Sequence, residues 1–283
     1  MKTILVLTDF SKKSEHAANF ALHLAEHLKS DLCLYNTFTP PDINVTSRLL
    51  NLQTKENIEH ETKKRLAALA DDLIRQSEEN DLLLVHPRVS YLCMEGDVSD
   101  LGNEIGRIVS EKNIGMIVMG AKGEECLSNF IPGTETYSVI MNATCPVLFI
   151  PEEAKIDKID RLAIITDDGG EHENKLLIFL NEFQKNYQTE VLFTRLGFAM
   201  EEIIEVSSQN SIHNKRNNRV KNIDENELAD QLQEVTPNKP IDILGVMFRR
   251  ENLFQRIFHS STSKLLMYNI NLPLLVFPEN TLI

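Results

Sequence analysis

Thr3-Ile4-Leu5-Val6-Leu7-Thr8-Asp9 is an apolar run that closes on an aspartate, and Leu162-Ala163-Ile164-Ile165-Thr166-Asp167 repeats its core at an offset of 158 residues. A run that is apolar at successive positions, not at alternate ones, is the pattern of a strand buried on both faces of a parallel sheet. A second marker, Cys145-Pro146-Val147-Leu148-Phe149-Ile150-Pro151-Glu152, returns as Leu272-Pro273-Leu274-Leu275-Val276-Phe277-Pro278-Glu279 at an offset of 127. The markers keep their order and bracket comparable segments, so the chain reads as two copies of one domain. The second copy is about 31 residues shorter between its markers. Residues 151–160 (PEEAKIDKID), charged and started by proline, read as the linker. The expected domains are 1–152 and 159–283.

Within the first copy, apolar runs alternate with helical patterns. Thr3–Thr8 is the first strand. Ser14–Lys29 sets Ala17, Ala18, Ala21, Leu24, Ala25 and Leu28 at helical spacing, with Ser11 or Ser14 available as N-cap. Leu32–Thr37 is a second strand, Asn44–Asn80 one long helix or two, and Arg88–Met94 a third strand with alternating character. Ser99–Lys112 is a helix with Leu101, Ile105, Ile108 and Val109 on its apolar face. Gly115–Met119 and Val147–Ile150 are two further strands, separated by a helix that begins near Thr134. Strands regularly alternating with helices predict a parallel sheet covered on both faces. The second copy reads as strand 162–166, helix 173–186, strand 190–196, helix 225–235, strand 241–247, helix 260–268 and strand 274–277. The polar stretch 207–222 is where the missing residues belong, and it reads as a loop with a short strand.

The 283 residues are 42% apolar, 25% charged and 6% aromatic, enough for two cores and against wholesale disorder. No run approaches the roughly 18 uncharged apolar residues of a membrane span. The N-terminus meets Asp9 too soon for a secretory segment, so a soluble cytoplasmic protein is expected. Net charge is −13, and residues 1–150 carry 14 basic and 21 acidic side chains against 15 and 21 in the remainder. Acidic surfaces on both halves disfavour nucleic acid while leaving room for one small anion in a local pocket. Cys33, Cys93, Cys126 and Cys145 have no paired spacing and read as small apolar residues.

The chemistry concentrates after the fourth strand, in Met119-Gly120-Ala121-Lys122-Gly123 followed at 133 by Gly133-Thr134. The spacing is G-x2-G-x9-G-T. Glycine lets the main chain come within hydrogen-bond distance of phosphate oxygens, and Gly133-Thr134 opens a helix whose free N–H groups and dipole favour an anion. Asp9 ends the first strand and Thr37 the second, and in open α/β sheets ligands sit beyond such strand ends. The structural alternative is that these glycines only make turns.

These residues resemble the universal stress protein family in its tandem two-domain form, whose nucleotide-binding members carry G-x2-G-x9-G-(S/T). All four specified positions match, as do the strand followed by TDFS and the CPVLFIP strand, so the resemblance covers nearly all of the first copy. It implies two tandem doubly wound α/β domains of the adenine nucleotide alpha hydrolase-like kind, each with a parallel five-stranded sheet, packed as an internal pseudo-dimer through the last strands. It further implies that Asp9 and Thr37 contact the adenine end, that Gly120 lies near the ribose, and that Gly123, Gly133 and Thr134 cradle the phosphates. The motif neighbours Met119, Lys122, Glu135 and Thr136 complete the implied set, and ATP, with or without Mg2+, is the implied ligand. Glu124, Glu125 and Glu135 depart from what a phosphate site wants, and weak affinity is the expected result.

In the second copy, alignment on the later marker puts Met247, Arg250, Ser260 and Ser261 at the positions of Gly120, Gly123, Gly133 and Thr134. Every glycine is gone, so that copy is expected to have lost the site and to serve a structural or regulatory purpose. Arg249, Arg250 and Arg256 suggest either another anion site or cations lying over apolar neighbours.

His16, His23 and His27 share a helix at chelating intervals, but without a further ligand they read as a polar face. Cys126 sits beside Glu124 and Glu125, which argue against a reactive thiolate. Asp167-Asp168 reads as a cation pair or a turn. No nucleophile, base or metal-ligand set emerges, so a binding module is preferred to an enzyme. A slow ATPase at the same pocket and a scaffold binding no nucleotide are the alternatives. A homodimer of the tandem is the secondary assembly.

Overall fold

The computed structural model describes residues 2–39, 48–80, 85–96, 100–121, 134–155, 158–166, 171–187, 189–195, 204–206, 212–214, 241–248, 272–278 and 280–281. They fall into two compact units, Met1–Gly120 with Pro132–Ala143 and Ala121–Ile131 with Thr144–Ile283.

The first unit begins with β1 (Thr3–Leu7), buried from Ile4 onward. Ser11 then caps α1 (Lys12–Leu28), its hydroxyl oxygen accepting the Ser14 N–H at 3.4 Å. Ala17, Ala18, Ala21, Leu24 and Ala25 of the expected stripe are buried, with Ser14, Phe20 and Leu22 added, while Leu28 is only half-buried. Lys29, in the left-handed region at φ 52°, ends the helix by donating its N–H to the Ala25 carbonyl. β2 (Leu32–Phe38) follows.

The long polar stretch forms one helix, α2 (Arg48–Glu78). Thr62, Leu66, Ala70, Leu73 and Ser77, three or four apart, are its buried stripe, and it packs over β2 and β3 (Val89–Glu95). β3 lacks the expected clean alternation. It stands at the end of this unit's strand order, β3-β2-β1-β4, so its pattern does not have to separate two covered faces.

α3 (Leu101–Glu111) buries Leu101, Ile105, Ile108 and Val109, and β4 (Ile114–Ala121) lies parallel to β1. α4 (Thr134–Asn142) starts where the glycine-threonine pair placed it. α3 and α4 meet at a seam where Gly102 faces Ser138 and Gly106 faces Asn142.

The second unit has strand order β5-β11-β10-β6-β7, from β5 (Val147–Pro151), β6 (Arg161–Thr166), β7 (Glu190–Arg195), β10 (Ile243–Phe248) and β11 (Leu274–Pro278). β6, β7, β10 and β11 are mutually parallel neighbours. β5 joins them antiparallel, Val147 opposite Val276 and Phe149 opposite Leu274. The last strands of the two sequence copies therefore pair with each other, as the resemblance implied. α5 (Glu171–Tyr187) buries Leu176, Leu180 and Phe183, and its Phe179 meets Phe277 edge-on at 5.3 Å.

The parallel order β7-β6-β10 recurs from β2-β1-β4. The fifth parallel strand expected in the second copy is not among the described residues. β8 (Ile204–Val206) and β9 (Ile212–Asn214) instead form a separate antiparallel pair. The helices expected at 225–235 and 260–268 lie outside the described residues. No helix among the described residues is long and apolar enough to cross a membrane.

Candidate functional site

In the first unit the chain leaves β1 for β2 on one side and later reaches β4 on the other, which makes the carboxyl edge of β1 and β4 the switch point of the sheet. Register brings Asp9, Thr37 and Gly120 to that edge. Leu7 lies beside both Tyr35 and Met119, so Asp9 and Thr37 each stand two residues past the same level, and Gly120 stands one past it.

Asp9 is exposed and held by the turn into α1. Its Oδ1 accepts the Ser11 N–H at 3.0 Å and the Ser11 hydroxyl. Partial desolvation would raise the carboxyl pKa, but the Ser11 bonds, with help from Ser14 and Lys13, outweigh it and hold Asp9 below the ordinary aspartate value. Beneath it, Thr8 Oγ1 and Ser14 Oγ lie 3.0 Å apart in the interior, and the Asn36 side-chain amide donates to the Thr8 carbonyl at 2.7 Å.

Thr37 is half-buried and donates its hydroxyl to the Met94 carbonyl at 3.3 Å. Gly96, just past β3, packs closely against it: a Cβ there would come within 2.8 Å of Thr37 Oγ1 and 2.9 Å of Glu104 Oε2. The same Glu104 oxygen accepts the Tyr35 hydroxyl at 2.6 Å. Burial, then the Glu104 bond and charge, push the Tyr35 phenol well above its ordinary value.

Gly120 has a role that spacing could not reveal. A Cβ on it would lie 2.6 Å from the Lys13 carbonyl oxygen and 2.9 Å from the Ser14 nitrogen. The end of β4 is pressed against the first turn of α1, and glycine is what the packing admits. Met119 and Thr136 are half-buried. Thr134 and Glu135 open α4, while Lys122, Gly123 and Gly133 lie outside the described residues, as do Glu124, Glu125 and Cys126. In the second unit Met247, at the Gly120 position, is buried and pairs in register with Phe277. Arg249, Arg250, Arg256, Ser260, Ser261 and Asp167 lie outside the described residues.

Residues that sequence did not single out for the site also converge here. Asn36 and Ser14 bind the β1 turn, Gly96 packs against Thr37, and Arg65 places its guanidinium carbon 4.0 Å from the centre of the Phe10 ring. Phe10 stood within the quoted TDFS run. Nothing in a single sequence links it to an arginine 55 positions away.

Elsewhere, the His23 and His27 rings are 4.4 Å apart on α1. No group of three or more His, Cys, Asp or Glu residues able to hold a metal is present among the described residues. Cys33 and Cys145 are buried, whereas Cys93 is only half-buried.

The donor set suits an adenine nucleotide. An ionised, exposed carboxylate at one end of the edge accepts from amines and ribose hydroxyls. The N-terminus of α4, the positive end of the helix dipole, suits an anion at the other.

The mostly parallel sheet with alternating helices matches the adenine nucleotide alpha hydrolase-like fold. The sequence profile of the universal stress protein family matches residues 1–151, and the chain belongs to that family. Among solved structures, a universal stress protein from Archaeoglobus fulgidus is 13% identical with a TM-score of 0.60, covering 97% of each chain. One from Pseudomonas aeruginosa is 12% identical with a TM-score of 0.54, covering 98% of this chain and 93% of its own. At these identities the likeness is one of fold. No curated protein sequence matches the chain.

Proposed function

We propose that the protein is a cytoplasmic stress-response protein that binds one adenine nucleotide, ATP or a relative, at the carboxyl edge of β1, β2 and β4. Asp9 and Thr37 take the adenine end and Gly120 lies near the ribose. Gly123, Gly133 and Thr134 take the phosphates, with Met119, Lys122, Glu135 and Thr136 beside them. The functional domain is 1–152, and the second domain, 159–283, is a partner without a nucleotide of its own. Its pairing with the first copy through β5 and β11 takes the place of a homodimer contact.

The observation that carries this reading is the register: Leu7, Tyr35 and Met119 lie side by side, so an ionised Asp9, Thr37 and the start of the glycine loop share one edge. Membership of the universal stress protein family supports it. So does the Met247 side chain where the first copy has Gly120. When bound, the nucleotide would bring its own Mg2+ chemistry; the chain's residues bind, orient and neutralise.

Denaturing freshly purified protein and identifying released small molecules by mass spectrometry tests the proposal. Adenine nucleotide near one per chain, lost in the Asp9→Ala variant, is expected. Wild-type protein that carries none and also fails to bind added ATP at millimolar concentration would count against it.

A further inference from the structure

Phe10, between Asp9 and Ser11, occupies the left-handed region at φ 59°, which a bulky side chain takes up only when its surroundings hold it there. Two contacts do the holding. The Phe10 N–H donates to Thr8 Oγ1 at 3.0 Å, and Arg65 lies across the ring with its guanidinium carbon 4.0 Å from the centroid. Phe10 is only half-buried and Arg65 is exposed, so this stack is not core packing.

Lys55, Lys63 and Arg75 on α2 are engaged by Glu95, Glu59 and Asp72. Arg65, like Lys64, makes no ion pair among the described residues, and it is Arg65 that lies over an aromatic ring. A guanidinium stacked on an aromatic keeps its in-plane donors available while fixing the ring. The helix that carries it packs over β2 and β3, on the side of Thr37 and away from α4.

On the reading that this edge binds an adenine nucleotide, we infer that Arg65 is a positioning residue for the base end. It holds Phe10, and through Phe10 the turn in which Ser11 fixes the Asp9 carboxylate. Asp9 retains acceptor capacity beyond the two bonds from Ser11, and the turn sets where that capacity points. Removing Arg65 lets Phe10 relax and costs affinity at the base end only, the same for every ligand that carries the base.

The experiment titrates full-length protein with adenosine, AMP, ADP and ATP, comparing wild type with Arg65→Gln, Arg65→Lys, Phe10→Leu and the Arg65→Gln/Phe10→Leu double variant. Arg65→Gln should weaken all four ligands by a similar factor, about fivefold for a partly exposed cation–aromatic contact. Arg65→Lys should recover part of the loss. The double variant should bind no worse than Phe10→Leu alone, because both changes act through one ring. Unchanged melting temperature for Arg65→Gln separates positioning from general stability.

Affinities equal to wild type in Arg65→Gln, or losses that add in the double variant, would overturn the inference. A loss that grows with the number of phosphates would also overturn it, since Arg65 would then be reading phosphate directly. Wild-type protein that binds none of the four overturns the nucleotide reading itself, and is distinguishable because it needs no variant.

Discussion

At Gly120 two demands fall on one residue. The backbone of β4 lies so close to Lys13 and Ser14 that an added Cβ would stand 2.6 Å from a carbonyl oxygen, and main-chain atoms in a helix's first turn cannot step aside cheaply. Gly120→Val is expected to destabilise the fold by about 2 kcal/mol through overpacking, read as a lower midpoint in urea unfolding; an unchanged midpoint would contradict the geometry. Loss of nucleotide binding in that variant would therefore be uninformative, and Asp9 is the better probe. Its carboxyl is held below the ordinary aspartate value, with the Ser11 bonds overcoming desolvation. A depressed native pKa contributes stability above the unfolded value that disappears as pH falls through the native one. Asp9→Asn should therefore be less stable than wild type at pH 7, the gap narrowing as the solution is acidified past the ordinary aspartate range; urea midpoints at pH 7 and pH 3 measure it. An equal gap at both would show that the loss is not ionic. At this scale the sequence announced the motif glycines but not their reasons. Spacing identifies a position, while the neighbour that forbids a side chain there, Lys13, is over a hundred residues distant.

The elements were largely legible, since buried strands and amphipathic helices are written locally. The apolar stripes of α1 and α3 stand where periodicity placed them, and Ser11 proved to be the cap left open between two serines. Whether 44–80 made one helix or two was not readable, because among its described side chains the buried stripe, Thr62 to Ser77, is weak and mixes polar with apolar residues. The α3–α4 seam was also hidden, since glycines inside a helical pattern read locally as breakers. Here they are contact points. A Cβ on Gly102 would overlap the Ser138 hydroxyl and carbonyl and stand 2.6 Å from its carbonyl carbon, while one on Gly106 would meet the Asn142 carbonyl oxygen at 3.0 Å. Ala for Gly in a helix interior gains about 1 kcal/mol of propensity. Gly106→Ala should come out near neutral, that gain offsetting a tight contact. Gly102→Ala should lose about 2 kcal/mol or more, because the clash is with backbone. Thermal melts of the pair test the ordering, and a Gly102→Ala variant as stable as Gly106→Ala would refute the seam. Since α4 begins at Thr134, this seam also fixes where the proposed anion-binding helix terminus lies.

For the whole molecule, the repeat in the sequence and the packing in space divide the chain differently. By repeat, β5 closes the first copy; by hydrogen bonding, it belongs with β11 in the second unit. A duplicated strand shows its kinship in one chain segment, but its partner across a ladder is a long-range fact. Leu274–Val276 of β11 pair with both β5 and β10, so Leu275 sits between two ladders and needs its amide, which proline cannot supply. Leu275→Pro should cost more than about 3 kcal/mol and abolish a cooperative unfolding transition by circular dichroism. A cooperative transition at the wild-type midpoint would exclude β11 from an interior position. The second copy's shortfall was visible as an offset difference, and β9, though not its partner β8, lies in the 207–222 stretch so marked. The central claim, that one copy binds an adenine nucleotide and the other does not, is tested most directly by the calorimetric stoichiometry of ATP-Mg binding to the full-length chain. The account predicts one site per chain, eliminated by Asp9→Ala. Two sites per chain, or one that survives Asp9→Ala unchanged, would contradict it.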